Sequence, residues 1–228
     1  MKNHLKRIAA PKTWNIDRTK GKYVIKATSG SHALNRGLPL ALIIRDMLKL
    51  ASTFGEVKKI LNNQEVLVDG KRRKEPHFVV GLFDLLTFPQ LHKNYRLLID
   101  KKGRLIVKEV PINETTFKVC KIIGKKILAQ WKIQFNLYDG KNIIAELKAK
   151  VGDSLVLSLP DLKIKEVLPL KENAIVFLVS GKHSGDIGQL KEIKQEEAIY
   201  LINDEEVYTS KDYLFVIGNK KPLFTIEN

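Results

Sequence analysis

The first 37 residues of this chain contain nine lysines and arginines but a single acid, Asp17, and they show little apolar periodicity. A segment of this composition cannot bury enough apolar surface to fold by itself. It also lacks the run of about 7–15 apolar residues that a secretory signal requires. We therefore expect residues 1–37 to form an extended basic arm, the N-terminal arm, that is mobile in the free protein and becomes ordered on a polyanion.

The composition of the whole chain narrows the class of partner. The 228 residues include 40 lysines and arginines against 25 acids, a formal net charge of +15. This charge predicts a polyanionic partner and favours nucleic acid over an anionic membrane. No run approaches the roughly 18–20 apolar residues that span a bilayer. The only cysteine, Cys120, excludes an internal disulfide and a multi-cysteine zinc site, and its apolar neighbours predict a small buried hydrophobe.

Two helices are predicted after the N-terminal arm. Residues 39–48 place their apolar side chains on one helical face, and Pro39 suits the first helical position. Thr53 and Glu56 have the spacing of a capping box, so a second helix should begin at this point.

Strand signals dominate the remainder of the chain. Glu65–Val68 alternates as a strand, and Asp69-Gly70 predicts a tight turn into a basic return strand. Beyond about residue 93 the chain is mostly β, with hairpins expected at 95–107 and 135–147. A domain boundary is expected near residues 169–173.

Residues 38–88 resemble the small RNA-binding fold named after bacterial ribosomal protein S-four, which presents its second helix and a β-turn to RNA. Clustered cations on such surfaces neutralise phosphates and release counterions, so they add affinity without reading sequence. In this sequence the two surfaces carry Lys58, Lys59, Lys71, Arg72, Arg73 and Lys74.

Residues 174–193 resemble a KOW motif, a strand–loop–strand element of ribosomal proteins and transcription elongation factors. Gly181, Gly185 and Gly188 have the spacing of the motif, whose tight loop needs positive φ angles or close backbone approach. The exposed tip of this loop should carry Lys182 and His183.

Signals for catalysis are missing from the sequence. The five histidines do not pair at metal-ligand spacing, and there is no Gly-x-Ser-x-Gly elbow or dinucleotide-binding loop. We therefore expect no enzymatic activity, no cofactor, no metal site and no small-molecule substrate. An RNA-modifying enzyme, a transcription elongation factor and a protein–protein adaptor are the alternatives that these patterns leave open.

The chain as a whole resembles the archaeal and eukaryotic e-type family of small-subunit ribosomal protein four. The matching segments occur in the same order along almost the entire chain. They are His4–Trp14, His32–Arg36, Leu38–Leu40, Glu56–Ile60, Val68–Lys71, Tyr95–Leu97, Asp100–Arg104, Lys118–Lys121, the KOW stretch and Phe215–Pro222.

The resemblance implies a structural constituent of the small ribosomal subunit, located in the cytoplasm, with small-subunit rRNA and neighbouring ribosomal proteins as partners and no membrane. The implied fold is α+β and mostly β. Its parts would be the N-terminal arm (1–37), an S-four-like RNA-binding domain (38–92), a central β domain (93–170) and a KOW domain with an SH3-like barrel (171–228). The alternative is a KOW-containing transcription or translation factor, or an RNA-binding accessory protein outside the ribosome.

The candidate RNA-binding residues are the clustered cations, together with flat side chains that could stack on bases. In addition to the six cations of the S-four-like surfaces and the two residues of the KOW loop, they are Lys2, Lys6, Arg7, Lys12, Trp14, His32, Arg36, Lys101, Lys102, Arg104, Lys125 and Lys126.

Overall fold

The structure, a computed structural model, describes residues 4–194, 196–202, 205–219 and 221–225. Antiparallel strands predominate over helices in these residues, which confirms the predicted class, α+β and mostly β. The chain divides into two compact units: unit 1 is Met1–Ile99 with Arg104–Thr115, and unit 2 is Asp100–Gly103 with Thr116–Asn228. Within the described residues, no helix has the length and apolarity needed to cross a bilayer.

Unit 1 is built around one five-stranded antiparallel sheet. The strands of unit 1 are β1 (Leu5–Lys6), β2 (Tyr23–Val24), β3 (Gly37–Pro39), β4 (Leu67–Val68), β5 (Lys71–Arg72), β6 (Val79–Gly81), β7 (Leu85–Phe88), β8 (Lys93–Ile99) and β9 (Leu105–Glu109). The order in the sheet is β5-β4-β7-β8-β9, while β1 pairs with β2 and β3 with β6. The predicted Asp69-Gly70 turn joins β4 to β5, and the hairpin predicted at 95–107 is β8–β9.

The helices of unit 1 lie between β3 and β4. They are α1 (Leu40–Leu42), which continues as a π-helical turn over Ile43–Met47, and α2 (Phe54–Asn63). Pro39 was predicted at the first helical position but precedes α1 as its N-cap, because it still pairs as the last residue of β3. Short 3₁₀ turns lie at Arg7–Ala9, Leu34–Arg36, Pro89–Leu91 and Ile112–Thr116.

The predicted capping box at the start of α2 is confirmed. The Thr53 hydroxyl accepts a hydrogen bond from the Glu56 N–H at 3.2 Å, and the Glu56 carboxylate accepts from the N–H groups of Ser52 at 2.7 Å and Thr53 at 3.3 Å. The backbone N–H of Ser52, followed by that of Thr53, holds the pKa of Glu56 below its ordinary value of 4.5. Val57 and Leu61, on the apolar face of α2, are buried in the core.

The described part of the N-terminal arm is packed into unit 1, which corrects the expectation of an extended segment. Trp14 is 2 % exposed, and its indole N–H donates to the Leu34 carbonyl at 3.0 Å. The Leu105 N–H donates to the Thr13 carbonyl at 2.7 Å, so the arm covers the outer edge of β9. The few apolar side chains of the arm have no helical or strand period, so no sequence pattern indicated their burial.

Arginine side chains also hold the folded arm. The Arg18 guanidinium donates to the carbonyls of Arg7 at 3.1 Å, Ala10 at 3.0 Å and Pro11 at 2.8 Å. Arg7 is itself buried and donates to the carbonyls of Tyr23 at 3.2 Å and Asp17 at 2.8 Å. Each of these planar guanidinium groups has several donors and thus links backbone carbonyls from separate parts of the arm.

A buried ion pair in unit 1 joins β8 to the 3₁₀ turn at Ile112–Thr116. Arg96 is 1 % exposed, and its guanidinium donates to the Glu114 carboxylate at 3.1 Å and to the Glu114 carbonyl at 2.9 Å. Burial lowers the pKa of Arg96 to about 10, and the charge of Glu114 opposes that shift. Removing one partner of such a pair costs about 3–5 kcal/mol because the other charge stays buried without compensation.

Unit 2 contains two five-stranded antiparallel sheets. Its strands are β10 (Phe117–Ile127), β11 (Ile133–Leu137), β12 (Asn142–Ile144), β13 (Ser154–Ser158), β14 (Ile164–Leu168), β15 (Ile175–Leu178), β16 (Ile187–Lys194), β17 (Glu197–Ile202), β18 (Glu205–Ser210) and β19 (Leu214–Gly218), with 3₁₀ turns at Ala129–Trp131 and Lys211–Tyr213. The sheet orders are β12-β11-β10-β13-β14 and β18-β17-β16-β15-β19. The hairpin predicted at 135–147 is β11–β12.

The long strand β10 divides its pairing between two neighbours. Phe117–Lys121 pairs with β13, and the second half pairs with β11 after a bulge near Ile123. Cys120 is buried in the apolar core of this sheet together with Ile122 and Phe135, which confirms its prediction as a small buried residue. Beyond the bulge, β10 pairs with β11, which also pairs with β12, and the β10–β11 hairpin continues past β12 to its last pair, Ile127 with Ile133.

Two predicted domain boundaries can be placed on these sheets. The boundary at 92/93 falls between β7 and β8, which pair with each other in the sheet of unit 1. The boundary at 170/171 falls between β14 and β15, which belong to different sheets.

Candidate nucleic-acid interface

The largest group of predicted cations lies on α2 and the β4–β5 hairpin of unit 1. Lys58 and Lys59 are exposed on α2, and the Arg72 guanidinium donates to the Asn62 carbonyl at 3.1 Å, which ties the hairpin to the end of the helix. We call this group the α2–β5 surface. Its exposed cations are Lys58, Lys59, Lys71, Arg72 and Lys74.

Arg73 differs from its neighbours on the α2–β5 surface. Its guanidinium carbon lies 4.3 Å from the centre of the Phe78 ring, and its backbone N–H donates to the Val66 carbonyl at 2.9 Å. A half-buried cation that stacks on an aromatic ring contributes to folding as well as to charge. Arg73 is therefore positioned to support the hairpin, while Lys71, Arg72 and Lys74 face solvent.

Predicted residues of the N-terminal arm fall into two groups. Lys6 and Lys12 are exposed and Arg36 is half-exposed, whereas Lys2 lies outside the described residues. The structure corrects the expectation that two rings of this arm stack on bases. Trp14 is buried as described above, and buried His32 places its Nε2 atom 3.2 Å from the Asp84 carboxylate. Arg7, also predicted as an RNA ligand, is engaged with backbone carbonyls.

A cleft that sequence reasoning missed opens beside the arm. It has a volume of about 700 Å³, and its cationic side chains come from both the arm and the region between the helices. Its charged lining residues are Arg7, Lys20, Arg45 and Lys49 with Asp17 and Asp46. Arg45 and Asp46 form a close ion pair at 2.6 Å, so part of this charge is neutralised locally. No sequence window contains both halves of this cleft, because residues 7–20 and 45–52 meet only in the fold.

Three further predicted cations lie at the β8–β9 turn. The Asp100 carboxylate accepts a hydrogen bond from the Lys102 N–H at 2.9 Å, which shapes the turn. Lys101 and Lys102 are exposed on it, and Arg104 is half-exposed at its end.

In unit 2, Lys125 and Lys126 are exposed on the part of β10 beyond the bulge. Lys125 leans back over the Phe135 ring, with its Nζ atom 5.6 Å from the ring centre. Close to them in the sequence is Trp131, which is 86 % exposed at the end of the hairpin. Trp131 is not among the RNA-binding residues predicted from the sequence. The available signal was the absence of acids between Glu114 and Asp139, a stretch that contains five lysines.

The predicted KOW loop joins β15 to β16 and presents Lys182 to solvent. His183 is half-exposed, and its Nδ1 atom lies 3.5 Å from the Asp186 carboxylate. Gly185 has a φ of +86°, and a Cβ atom on Gly188 would lie 2.6 Å from the Leu201 carbonyl oxygen. Glycine is therefore required at both positions, for the two reasons expected from the sequence.

The described residues contain no group of three or more histidine, cysteine, aspartate or glutamate side chains that could hold a metal ion. Exposed cations of the described residues lie on α2, on the β4–β5 hairpin, on the β8–β9 turn and on β10. A mostly β protein with such a surface belongs to the class of proteins suited to contact a polyanion.

Comparison with known proteins identifies the family. The family model described as Ribosomal family S4e matches residues 91–164, and the RS4NT (NUC023) domain matches residues 1–35. The small ribosomal subunit protein eS4 of Methanocella arvoryzae is 41 % identical over 226 residues, covering 96 % of each chain. The eS4 protein of Archaeoglobus fulgidus is 40 % identical over 223 residues, covering 95 % of this chain and 94 % of that protein.

A solved structure agrees with these sequence matches. The 30S ribosomal protein S4e from Thermoplasma acidophilum has a TM-score of 0.71 and 30 % identity, and the match covers 81 % of this chain and 96 % of that chain. This chain belongs to ribosomal family S4e. Membership confirms the resemblance found in the sequence, the non-enzymatic role and the place in the cytoplasmic ribosome.

Proposed function

We propose that this protein is a structural constituent of the small ribosomal subunit and binds small-subunit rRNA through its basic surfaces. The observation that carries the proposal is the α2–β5 surface. Five exposed cations lie on two elements that a hydrogen bond from Arg72 to Asn62 holds together. Relatives named as small ribosomal subunit proteins match nearly the full length of the chain and support the assignment.

The chemistry of this surface suits the phosphate backbone. Lysine and arginine side chains in solvent neutralise phosphates and release condensed counterions. Arg72 adds a planar fork of donors, and its hydrogen bond to a helix carbonyl limits the orientations it samples. The surface therefore supplies affinity and orientation, and base recognition has to come from other residues.

The finer organisation is also part of the proposal. Residues 38–92 would act as the S-four-like module, 93–170 as the central β domain and 171–228 as the KOW domain, with residues 1–37 as a basic segment that contacts rRNA through Lys6 and Lys12. The helix–helix–hairpin order of unit 1 and the β15–loop–β16 hairpin support the two module assignments. Neighbouring ribosomal proteins would be the other partners.

Binding to rRNA can be tested by the salt dependence of affinity. In the triple variant Lys71→Ala/Arg72→Ala/Lys74→Ala, we expect the slope of log K against log salt to decrease in magnitude by about 2–3, or roughly 1 for each lost phosphate contact. Arg73 is kept because it packs on Phe78. The unfolding free energy should change by no more than about 0.5 kcal/mol for each lysine, and by about 0.5–1.5 kcal/mol for Arg72, which loses its hydrogen bond to Asn62.

A matched control removes the same charge elsewhere. Lys163→Ala/Lys165→Ala/Lys171→Ala changes three exposed lysines of unit 2 and should leave the slope unchanged. Equal slopes for the two triple variants would reduce the effect to net charge and overturn the role of the α2–β5 surface. Sucrose-gradient fractionation of native extract tests the ribosomal role. A ribosomal protein sediments with small subunits, whereas a transcription factor co-purifies with RNA polymerase.

A further inference from the structure

The β10–β11 hairpin of unit 2 ends in a turn that displays a tryptophan. The strands stay paired as far as Ile127 and Ile133, and the Leu128 N–H donates to the Lys132 carbonyl at 2.8 Å. Within this closed turn, Trp131 is 86 % exposed. An indole of this size usually buries most of its surface in a folded protein, so exposure at this level marks the side chain as available for a partner.

The backbone of the turn has an unusual conformation at Gln130 and Trp131. Gln130 has a φ of +60° and Trp131 a φ of +58°, both in the left-handed region that bulky residues rarely occupy. Consecutive residues in this region carry a conformational cost, and such strain clusters at sites of ligand contact. The turn therefore presents Trp131 at a defined position beyond the last strand pair.

The residues around Trp131 are basic, and their exposed apolar side chains are few. Lys126 and Lys132 are exposed on either side of the turn, and no acid lies between Glu114 and Asp139. Ile127 is 61 % exposed and Ile144 is 57 % exposed. In register, Ile144 shares the face of Lys126, and Ile127 lies on the opposite face. The hairpin thus lacks the single apolar patch that forms the core of a protein–protein interface.

We propose that Trp131 stacks on an unpaired base of small-subunit rRNA while Lys126 and Lys132 bind the flanking phosphates. This inference rests on the proposed rRNA binding and assigns a base-contacting site to it. An indole offers a flat face to any base, and nearby cations hold the nucleotide by its phosphates. The α2–β5 surface, in contrast, carries only cations among its exposed members.

The experiment compares Trp131→Ala, Trp131→Phe and Lys126→Ala/Lys132→Ala with wild type, using a protein-free archaeal small-subunit rRNA transcript. Loss of one stacking contact should weaken binding roughly 5- to 150-fold in Trp131→Ala, and Trp131→Phe should recover most of it. Trp131→Ala should keep the salt slope of wild type, whereas the double lysine variant should lower it by about 2.

Tryptophan fluorescence provides a second readout. The chain has two tryptophans, and Trp14 is buried. Acrylamide should quench wild type much more than Trp131→Phe, and rRNA should protect wild type from that quenching. If rRNA leaves the emission and quenching of Trp131 unchanged, no base stacks on it and the inference is overturned.

The other outcomes separate this inference from the function on which it rests. If wild type fails to bind the transcript, the proposed rRNA binding is itself wrong. If wild type and Trp131→Ala bind equally well, rRNA binding stands and stacking is excluded. If Trp131→Ala binds rRNA normally but enters small subunits poorly in reconstitution, Trp131 contacts a neighbouring protein, and the inference is likewise wrong.

Discussion

The N-terminal arm and the β10–β11 hairpin have similar compositions and opposite structures. Each has an excess of basic residues and contains one of the two tryptophans of the chain. In the arm, Trp14 is 2 % exposed and bonded to the Leu34 carbonyl, while in the hairpin Trp131 is 86 % exposed. The sequence favoured Trp14 as the base-stacking residue, and the structure offers Trp131 instead.

The difference shows that net charge does not decide whether a segment is packed. The arm uses backbone groups as anchors: Thr28 bonds to the His77 carbonyl at 2.9 Å, and Thr13 bonds to the edge of β9. The hairpin is paired along β10 and β11 apart from the bulge near Ile123, yet its last residues extend beyond the core around Phe135. Regular hydrogen bonding and burial are therefore separate properties of these two regions.

The largest expected effect is on the unfolding free energy of the two tryptophan variants. Trp14→Ala should destabilise the protein by about 3–5 kcal/mol, because it leaves a large cavity and an unpaired Leu34 carbonyl. Trp131→Ala should change stability by no more than about 0.5 kcal/mol. Urea unfolding measures both, and equal midpoints for the two variants would contradict the contrast between buried arm and exposed turn.

A smaller effect is expected from the guanidinium that holds the arm. Arg18→Ala removes hydrogen bonds to the carbonyls of Arg7, Ile8, Ala10 and Pro11, and it should cost about 1–3 kcal/mol. Amide hydrogen exchange should accelerate in residues 5–24. Arg18→Lys should rescue little, because an ammonium cannot reproduce the planar fork.

The matched control for Arg18 is Lys126→Ala in the hairpin, which removes one exposed charge of the same sign. It should leave unfolding and exchange unchanged. Fast exchange throughout the arm of the wild-type protein without RNA would restore the original expectation of a mobile segment.

The smallest expected effect depends on pH. The Thr19 hydroxyl and N–H donate to the Asp17 carboxylate and hold its pKa below the ordinary value of 3.8. Because the folded-state pKa is the lower one, this stabilisation is complete above pH 3.8 and is lost as pH falls through the folded-state pKa. The amide signal of Thr19 should shift over that range, and Asp17→Asn should abolish the shift. The hairpin turn around Ala129 has no acid nearby in sequence and should show no such transition.

Local structure was the most predictable part of this protein. The capping box of Thr53 and Glu56, the Asp69-Gly70 turn and the β8–β9 hairpin all form as expected. Each of these signals depends on a few consecutive residues whose hydrogen bonds are made with one another. The glycines of the β15–β16 loop were predictable for a similar reason, since a positive φ or a close backbone contact requires glycine there.

Contacts between distant segments were not predictable from single residues. No local pattern marks Asp139 as buried, yet its buried carboxylate accepts hydrogen bonds from Lys118 at 3.1 Å and Lys141 at 2.8 Å. His32 and Arg7 were selected as RNA ligands and are buried within unit 1. A charged or aromatic residue looks the same in the sequence whether it is buried or exposed, because its burial depends on partners far along the chain.

The sequence by itself determined the basic charge, the positions of caps and turns, the mostly β character and the family. These depend on composition, on short-range hydrogen bonding and on the order of motifs, all of which can be read along the chain. Only the tertiary structure decided that Trp14 is buried while Trp131 is exposed, and that Arg73 packs on an aromatic ring beside a hairpin whose other cations face solvent. The physical reason is that desolvation depends on which distant residues surround a side chain, and only the fold brings those residues together.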